Sequence, residues 1–174
     1  WALICRWSRK YFGLPGNPNV RLSNRQKGRI FVLISFSEDK RSMKIFLAQQ
    51  NYIIGDFKYN TGKIIEAVRE ARKQGGDLIV FSELCVCGYP PRDFLEFDDF
   101  VEECLASVNE IRKEADSIAV LVGAPSRNPK IEGKDLFNSA YFLYEGEIKQ
   151  VVHKALLPNY DIFDEYRYFE PGQE

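Results

Sequence analysis

Methionine and histidine are almost missing from this 174-residue chain, which has one of each, Met43 and His153. With a single histidine there is no H-E-x-x-H metal motif, and the four cysteines match no zinc-site spacing. Cys5, Cys85, Cys87 and Cys104 also lack the pattern of a secreted disulfide framework, so reduced thiols in a cytoplasmic protein are expected. No apolar run approaches the ~18 residues needed to span a membrane. A Walker loop and a dinucleotide fingerprint are both missing, as are internal repeats and low-complexity tracts after Met43.

What is present is an ordinary globular composition, 45% hydrophobic and 28% charged, in a chain long enough for one domain with its own core. The net charge of −1 conceals a split. Residues 1–42 carry nine Lys/Arg against two Asp/Glu, a net of +7, and residues 43–174 carry a net of −8. The acidic part argues against nucleic acid as a partner, because phosphate neutralisation needs a basic face.

Charge and patterning change together at Met43, where Lys44-Ile45-Phe46-Leu47-Ala48-Gln49 reads as the opening of a buried strand. Residues 1–42 are accordingly expected to be an upstream or non-domain leader, and 43–174 the domain. An organelle transit peptide is the competing reading of the basic leader, and Ile30–Phe36 resembles a signal-peptide core without a small-residue cleavage site after it.

From Met43 onward the pattern predicts β-α-β-α-β-β-β. Asn51–Asn60 reads as a loop, with Asn60 or Thr61 capping a helix whose stripe is Ile64, Ile65, Val68 and Ala71. Gln74-Gly75-Gly76 ends it. Asp77–Phe81 is a nearly continuous apolar run, of the kind covered on both faces. Ser82–Asp93 is a loop punctuated by Gly88-Tyr89-Pro90-Pro91. A second helix is expected over Asp98–Ala115, with Phe100, Val101, Cys104, Leu105, Val108 and Ile111 inward. Ile118–Val122 is the next strand and Gly123–Asp135 a loop. Phe137–Tyr144 and Ile148–Val152 flank Glu145-Gly146-Glu147 as a hairpin. The class is α/β with a mixed sheet.

Two residues stand where chemistry is commonly placed, just past strand ends. Glu83 is flanked by Phe81, Leu84 and Val86, surroundings that desolvate a carboxylate and favour a general base; a solvated loop acid is the competing reading. Lys154 precedes Ala155-Leu156-Leu157-Pro158 and could hold a positive charge where an oxyanion develops, typically ~3 kcal/mol of barrier, or simply snorkel to solvent. His153 lacks a nucleophile or carboxylate beside it in sequence. Cys85 and Cys87 are nucleophile or metal candidates, but buried structural thiols fit better. Tyr160, Phe163, Tyr166, Tyr168 and Phe169 are interleaved with acids, which suits a pocket or a core and not base stacking.

Taken together, MKIFLAQQNYIIGD (Met43–Asp56), DLIVFSELCVCGYPPRDFL (Asp77–Leu95) and HKALLPNYDIFDEYRYFEPG (His153–Gly172) resemble the nitrilase superfamily of carbon-nitrogen hydrolases. Its nearest branch is the N-terminal glutamine amidotransferase domain of glutamine-dependent NAD synthetases. The resemblance implies a four-layer αββα sandwich. It implies Glu83 as general base, Lys154 as oxyanion-stabilising cation, Tyr160 and Glu165 as glutamine-binding residues with Phe163 nearby, and Tyr89 at the pocket wall. L-glutamine is the implied substrate, without metal or cofactor in this part. The implied partners are a synthetase domain, where ATP and Mg would act, and further copies in a homo-oligomer. The family's nucleophilic cysteine falls beyond residue 174, and Cys85 and Cys87 do not match it, so the chain alone is expected to be inactive. A stand-alone amidase or carbamoylase, and an inactive truncated product, are the alternatives.

Overall fold

The computed structural model describes residues 20–26, 29–38, 41–130 and 132–173. Among them, seven strands form one sheet in chain order: β1 (Val20–Gln26), β2 (Arg29–Glu38), β3 (Arg41–Gln49), β4 (Leu78–Val80), β5 (Ala119–Arg127), β6 (Leu136–Tyr144) and β7 (Glu147–His153). β3, β4 and β5 run parallel, and the other neighbouring pairs are antiparallel. The backbone of β1 and β2 extends the sheet upstream of the expected domain start at Met43; residues 1–19 lie outside the described residues.

The parallel strands are joined by two helices, α1 (Phe57–Lys73) and α2 (Asp98–Ile111). Both carry the expected stripes: Ile64, Val68 and Ala71 on α1, and Val101, Cys104, Val108 and Ile111 on α2, are 0–1% exposed. They pack on Phe46, Ile79, Val120 and Val122, the side chains that alternate onto one face of the sheet. Each such side chain contributes about 1.5–3 kcal/mol by leaving water, which makes this layer the main source of stability. The opposite face carries Ile45, Leu47, Leu78, Val80, Leu121 and Phe142, all only half-buried. Asp77–Phe81 is thus fully covered on one face, not both. The described residues form an αβ pair of layers, half of the αββα sandwich the sequence leads one to expect.

Three local details differ from the pattern. Helix α1 starts earlier because Asp56, not Asn60 or Thr61, caps it, accepting the Tyr59 N–H at 3.0 Å. Helix α2 gives way after Ile111 to a tighter turn over Arg112–Glu114. There Arg112 donates to Gly146 O (2.6 Å) and Gly146 N–H donates to Ala115 O (2.9 Å), so the β6–β7 turn holds the chain out of helical register. Strand β5 runs to Arg127, through the segment expected to be a loop. Pro125 is tolerated because β4 pairs only as far as Leu121, leaving that stretch with β6 alone.

Asn60, freed from capping, is fully buried and works as a clamp. It accepts from Ile53 N (2.9 Å) and donates to Ile53 O (2.7 Å) and Val86 O (3.1 Å), tying the loop after β3 to the loop after β4. Replacing it by alanine takes the partner from Ile53 N–H and from the buried Val86 O, while Ile53 O keeps the Asp56 N–H at 3.3 Å. Asn60→Ala is expected to lower unfolding free energy by roughly 2–3 kcal/mol, as a shift in urea midpoint at unchanged slope. A loss under about 0.5 kcal/mol, by the same measure, would remove Asn60 from this role.

Candidate active site

Glu83 lies three residues past β4, on a turn that brings Leu84 to a positive φ of 48°. The turn rests on β5 at Gly123, where an added Cβ would sit 2.6 Å from Leu84 N and 3.1 Å from the Glu83 carbonyl carbon. Only glycine lets the two backbones come this close. Val86 N–H donates to Gly123 O at 3.2 Å and completes the seat. Gly123 therefore sets how far Glu83 stands above the sheet.

Lys154 follows the last residue of β7, and its N–H still bonds Asn138 O on β6 at 2.8 Å. Its ammonium donates to Glu83 Oε1 (2.6 Å) and to both oxygens of Glu165 (3.1 and 2.9 Å). Desolvation is the largest single influence on Lys154 and acts downward, but hydrogen bonds and charge from Glu83 and Glu165 outweigh it together. The net shift is upward, so the ammonium is held charged.

Glu165 opens the short helix α3 (Glu165–Tyr168) and is 6% exposed. It also accepts from Tyr89 OH (3.0 Å) and from Asn138 Nδ2 (3.4 Å). Burial, and then the Glu165 charge, push the Tyr89 phenol above its ordinary range, so it stays a donor. Asn138 gives its shorter bond, 2.6 Å, to Glu83 Oε1. Two carboxylates thus meet at one ammonium, and Tyr89 and Asn138 donate to those carboxylates in turn.

The segment after α3 locks this arrangement by returning to the strand ends. Phe169 bridges Leu136, Glu170 N–H donates to Leu136 O (2.8 Å), and Gly172 N–H donates to Lys154 O (2.9 Å). Arg167 and Tyr168 bind Asp93, on the short helical turn Arg92–Glu96 that follows the Glu83 loop.

Two clefts flank the cluster. One, of about 250 Å³, is lined by Phe81, Glu83, Gly123, Asn138 and Lys154. The other, of about 310 Å³, is lined by Tyr89, Asp161, Phe163, Glu165 and Arg167. Tyr160 is 64% exposed, and its ring meets Phe163 edge-on at 5.6 Å, with Tyr89 at 6.4 Å from Phe163 on the other side. Tyr160, Phe163 and Tyr89 form an aromatic wall beside the carboxylates.

The remaining candidates from sequence make no bond to the cluster on Lys154. His153 borders the first cleft beside Lys154, but its side chain takes other partners. Its Nδ1 pairs with Ser139 Oγ (2.8 Å), itself 2.6 Å from Ser126 Oγ, and its ring stacks on Phe137. Cys85 and Cys87 are fully buried, with thiols directed at backbone carbonyls 3.6 Å away. Burial pushes the Cys85 thiol up to about 12, which suits an inert structural cysteine. Asn138 was missed by the sequence reading. Its one signal was a polar amide near the start of the apolar strand Leu136–Tyr144. Glu165 was expected at the substrate; its position as a second carboxylate on Lys154 was not foreseen. Among the described residues no group of three His, Cys, Asp or Glu side chains is arranged to hold a metal ion.

Two carboxylates and a fixed ammonium beside a cleft are groups that acid-base hydrolysis can use. The carbon-nitrogen hydrolase family model matches residues 44–174, and the chain belongs to that family. Its similarity is to glutamine-dependent NAD(+) synthetases. It is 45% identical to the one from Synechocystis over 129 residues, 72% of this chain and 23% of that protein. It is 38% identical to the one from Thermotoga maritima over 77% of this chain and 23% of that protein. The solved synthetase of Acinetobacter baumannii superposes with a TM-score of 0.70 at 36% identity, over 77% of this chain and 25% of that one. An amidase from Nesterenkonia shares the fold, with a TM-score of 0.63 at 24% identity over 76% of this chain and 49% of that one. The chain spans about a quarter of the length of the curated relatives it matches.

Two outcomes follow from the geometry. Gly123→Ala is expected to lift the Glu83 turn and cost about 1–3 kcal/mol of stability in urea unfolding; an unchanged midpoint would mean that the seat is not tight. His153 is held below the ordinary 6.5 by desolvation. At and below that pH the unfolded chain takes up a proton that the folded chain resists, so stability falls as the pH drops through 6.5 and levels off below the folded-state value. The His153→Gln variant should lose less over that range in parallel thermal melts; identical pH slopes would remove His153 from the account.

Proposed function

We propose that this chain supplies the general base and the oxyanion-stabilising cation of a glutamine-hydrolysing site within a larger glutamine-dependent NAD synthetase. The observation that carries the reading is the Lys154 ammonium at 2.6 Å from Glu83 Oε1 beside an open cleft. The sequence likeness to NAD synthetases, above that to other amidases, supports glutamine over a simpler amide. In this reading the hydrolase domain begins at Met43, close to where the family match starts. Ammonia released here would serve a synthetase domain that uses ATP and Mg. Three buried free thiols, Cys85, Cys87 and Cys104, favour a reducing, cytoplasmic setting.

The chemistry runs as a two-step acyl transfer with a cysteine nucleophile supplied from outside the described residues. A thiol with an ordinary pKa of ~8.5 is mostly protonated near neutrality and needs a base to become a nucleophile. Glu83 takes that proton as sulfur bonds to the side-chain amide carbon of glutamine. Negative charge then grows on the amide oxygen, and Lys154 stabilises it. Glu83 returns the proton to the nitrogen as the C–N bond breaks and ammonia leaves, with a glutamyl thioester remaining. Water, deprotonated by Glu83, attacks that thioester; glutamate departs and the thiol recovers its proton. Tyr160 and Phe163 would line the glutamine side chain, and Glu165 would steady Lys154 while binding the substrate's polar end. The chain of 174 residues by itself is proposed to be inactive, since its described thiols are buried away from the cleft.

Glu83→Gln and Lys154→Met in a full-length protein carrying this chain should each cut ammonia release from L-glutamine by at least about 10²-fold in kcat/KM. Near-normal rates in either would refute the assignment. Preference for a small aliphatic amide over L-glutamine would favour the stand-alone amidase reading, and glutamine hydrolysis by the isolated 174-residue chain would contradict its proposed inactivity.

A further inference from the structure

Asn138 is the third residue of β6 and only 3% exposed, although it carries an amide in an apolar strand. An amide in such a place is costly unless its groups are bonded, so its partners indicate why the strand holds it. Its Nδ2 donates to Glu83 Oε1 at 2.6 Å and to Glu165 Oε2 at 3.4 Å, and its carbonyl accepts the Lys154 N–H at 2.8 Å. One side chain in a paired strand therefore touches both carboxylates, while its backbone holds the lysine.

The two donors that reach Glu83 converge on the same oxygen. Lys154 Nζ and Asn138 Nδ2 are each 2.6 Å from Oε1, and among the described residues no hydrogen bond is made to Oε2. A carboxylate oxygen that already accepts two strong bonds is the poorer proton acceptor, and the unbonded oxygen becomes the basic one. Lysine could not impose this alone, since an ammonium on a flexible four-carbon stem is a point charge with no preferred plane. An amide fixed by its strand holds the carboxylate in direction as well as in charge.

We propose that Asn138 is a positioning residue for the hydrolytic reaction: it ties down Glu83 Oε1 and so leaves Oε2 as the atom that takes and returns the proton. The inference rests on the reading of Glu83 as base, and the experiment separates the two. It compares Asn138→Leu and Asn138→Asp with wild type in a full-length protein carrying this chain, measuring kcat and KM for L-glutamine, the pH–rate profile and the melting midpoint. Asn138→Leu is also measured in a Glu83→Gln background.

Asn138→Leu should lower kcat about 10²-fold, the typical cost of a misplaced catalytic group, with KM within about threefold, and should add little further loss once Glu83 is Gln. Asn138→Asp keeps the shape but sets an acceptor against Oε1. The two facing carboxyls must then share a proton, and the acid limb of the profile moves to higher pH. If Asn138→Leu fails to fold, the aspartate variant carries the test through that limb. A loss of activity in Glu83→Gln alongside a near-normal kcat in Asn138→Leu overturns the positioning role alone. Equal losses from Asn138→Leu with and without Glu83, or an unmoved acid limb in Asn138→Asp, overturn it too. Near-normal activity in Glu83→Gln overturns the base assignment itself, and the positioning role with it.

Discussion

The ammonium of Lys154 is the contact on which the surrounding structure is organised. It is shared between a carboxylate with an accessible side chain, Glu83, and a buried one, Glu165. A buried carboxylate needs donors, and Glu165 has three: Lys154, Tyr89 and Asn138. None of the three is near it in sequence except Lys154, eleven positions upstream. The loop after β4, the strands β6 and β7 and the segment through α3 are all brought to one point by that requirement. Removing the lysine would leave two carboxylates facing each other with a single amide between them.

The sheet makes this convergence possible at low entropic cost. Glu83 and Lys154 each sit just past a strand whose backbone is held by its neighbours, so most of the ordering is supplied by pairing and by the helical layer beneath. Asn138 sits near the start of β6, paired opposite Pro125. Returning backbone from Phe169 to Gly172 closes the ends of β6 and β7. Gly172 is required there, because a Cβ would come 2.6 Å from His153 O. The half-buried face of Ile45, Leu47, Val80, Leu121 and Phe142 continues away from the site, on the side of the sheet where the helices do not pack.

Much of this was legible in the sequence because it is periodic or local. The stripes of α1 and α2, the Gly75 and Gly76 stop, and the Glu145-Gly146 turn with both residues at positive φ follow from spacing and from which residues tolerate that backbone. Glu83 and Lys154 were visible as charged residues directly after strands. What went unread was decided by competition between partners. Asp56 and Asn60 could each cap α1, and which one did depended on whether Val86, 26 positions away, needed the Asn60 amide. Pro125 argued for a loop, and only the short length of β4 made a strand acceptable there.

The sequence by itself determined the class of the fold, the two helices and their buried faces, and the two strand ends where charge would be found. These depend on interactions within a few residues or on a repeating pattern, which a linear chain displays. Tertiary structure alone decided that Glu83 and Lys154 share a hydrogen bond, that Glu165 joins them as a second carboxylate, and that His153 pairs with Ser139 instead. It also decided that Asn138, unremarkable in sequence, holds the group together. Each of those outcomes depends on hydrogen bonds of 2.6–3.4 Å between residues up to 71 positions apart. Distances of that kind exist only once the strands have paired and the loops beyond them have met.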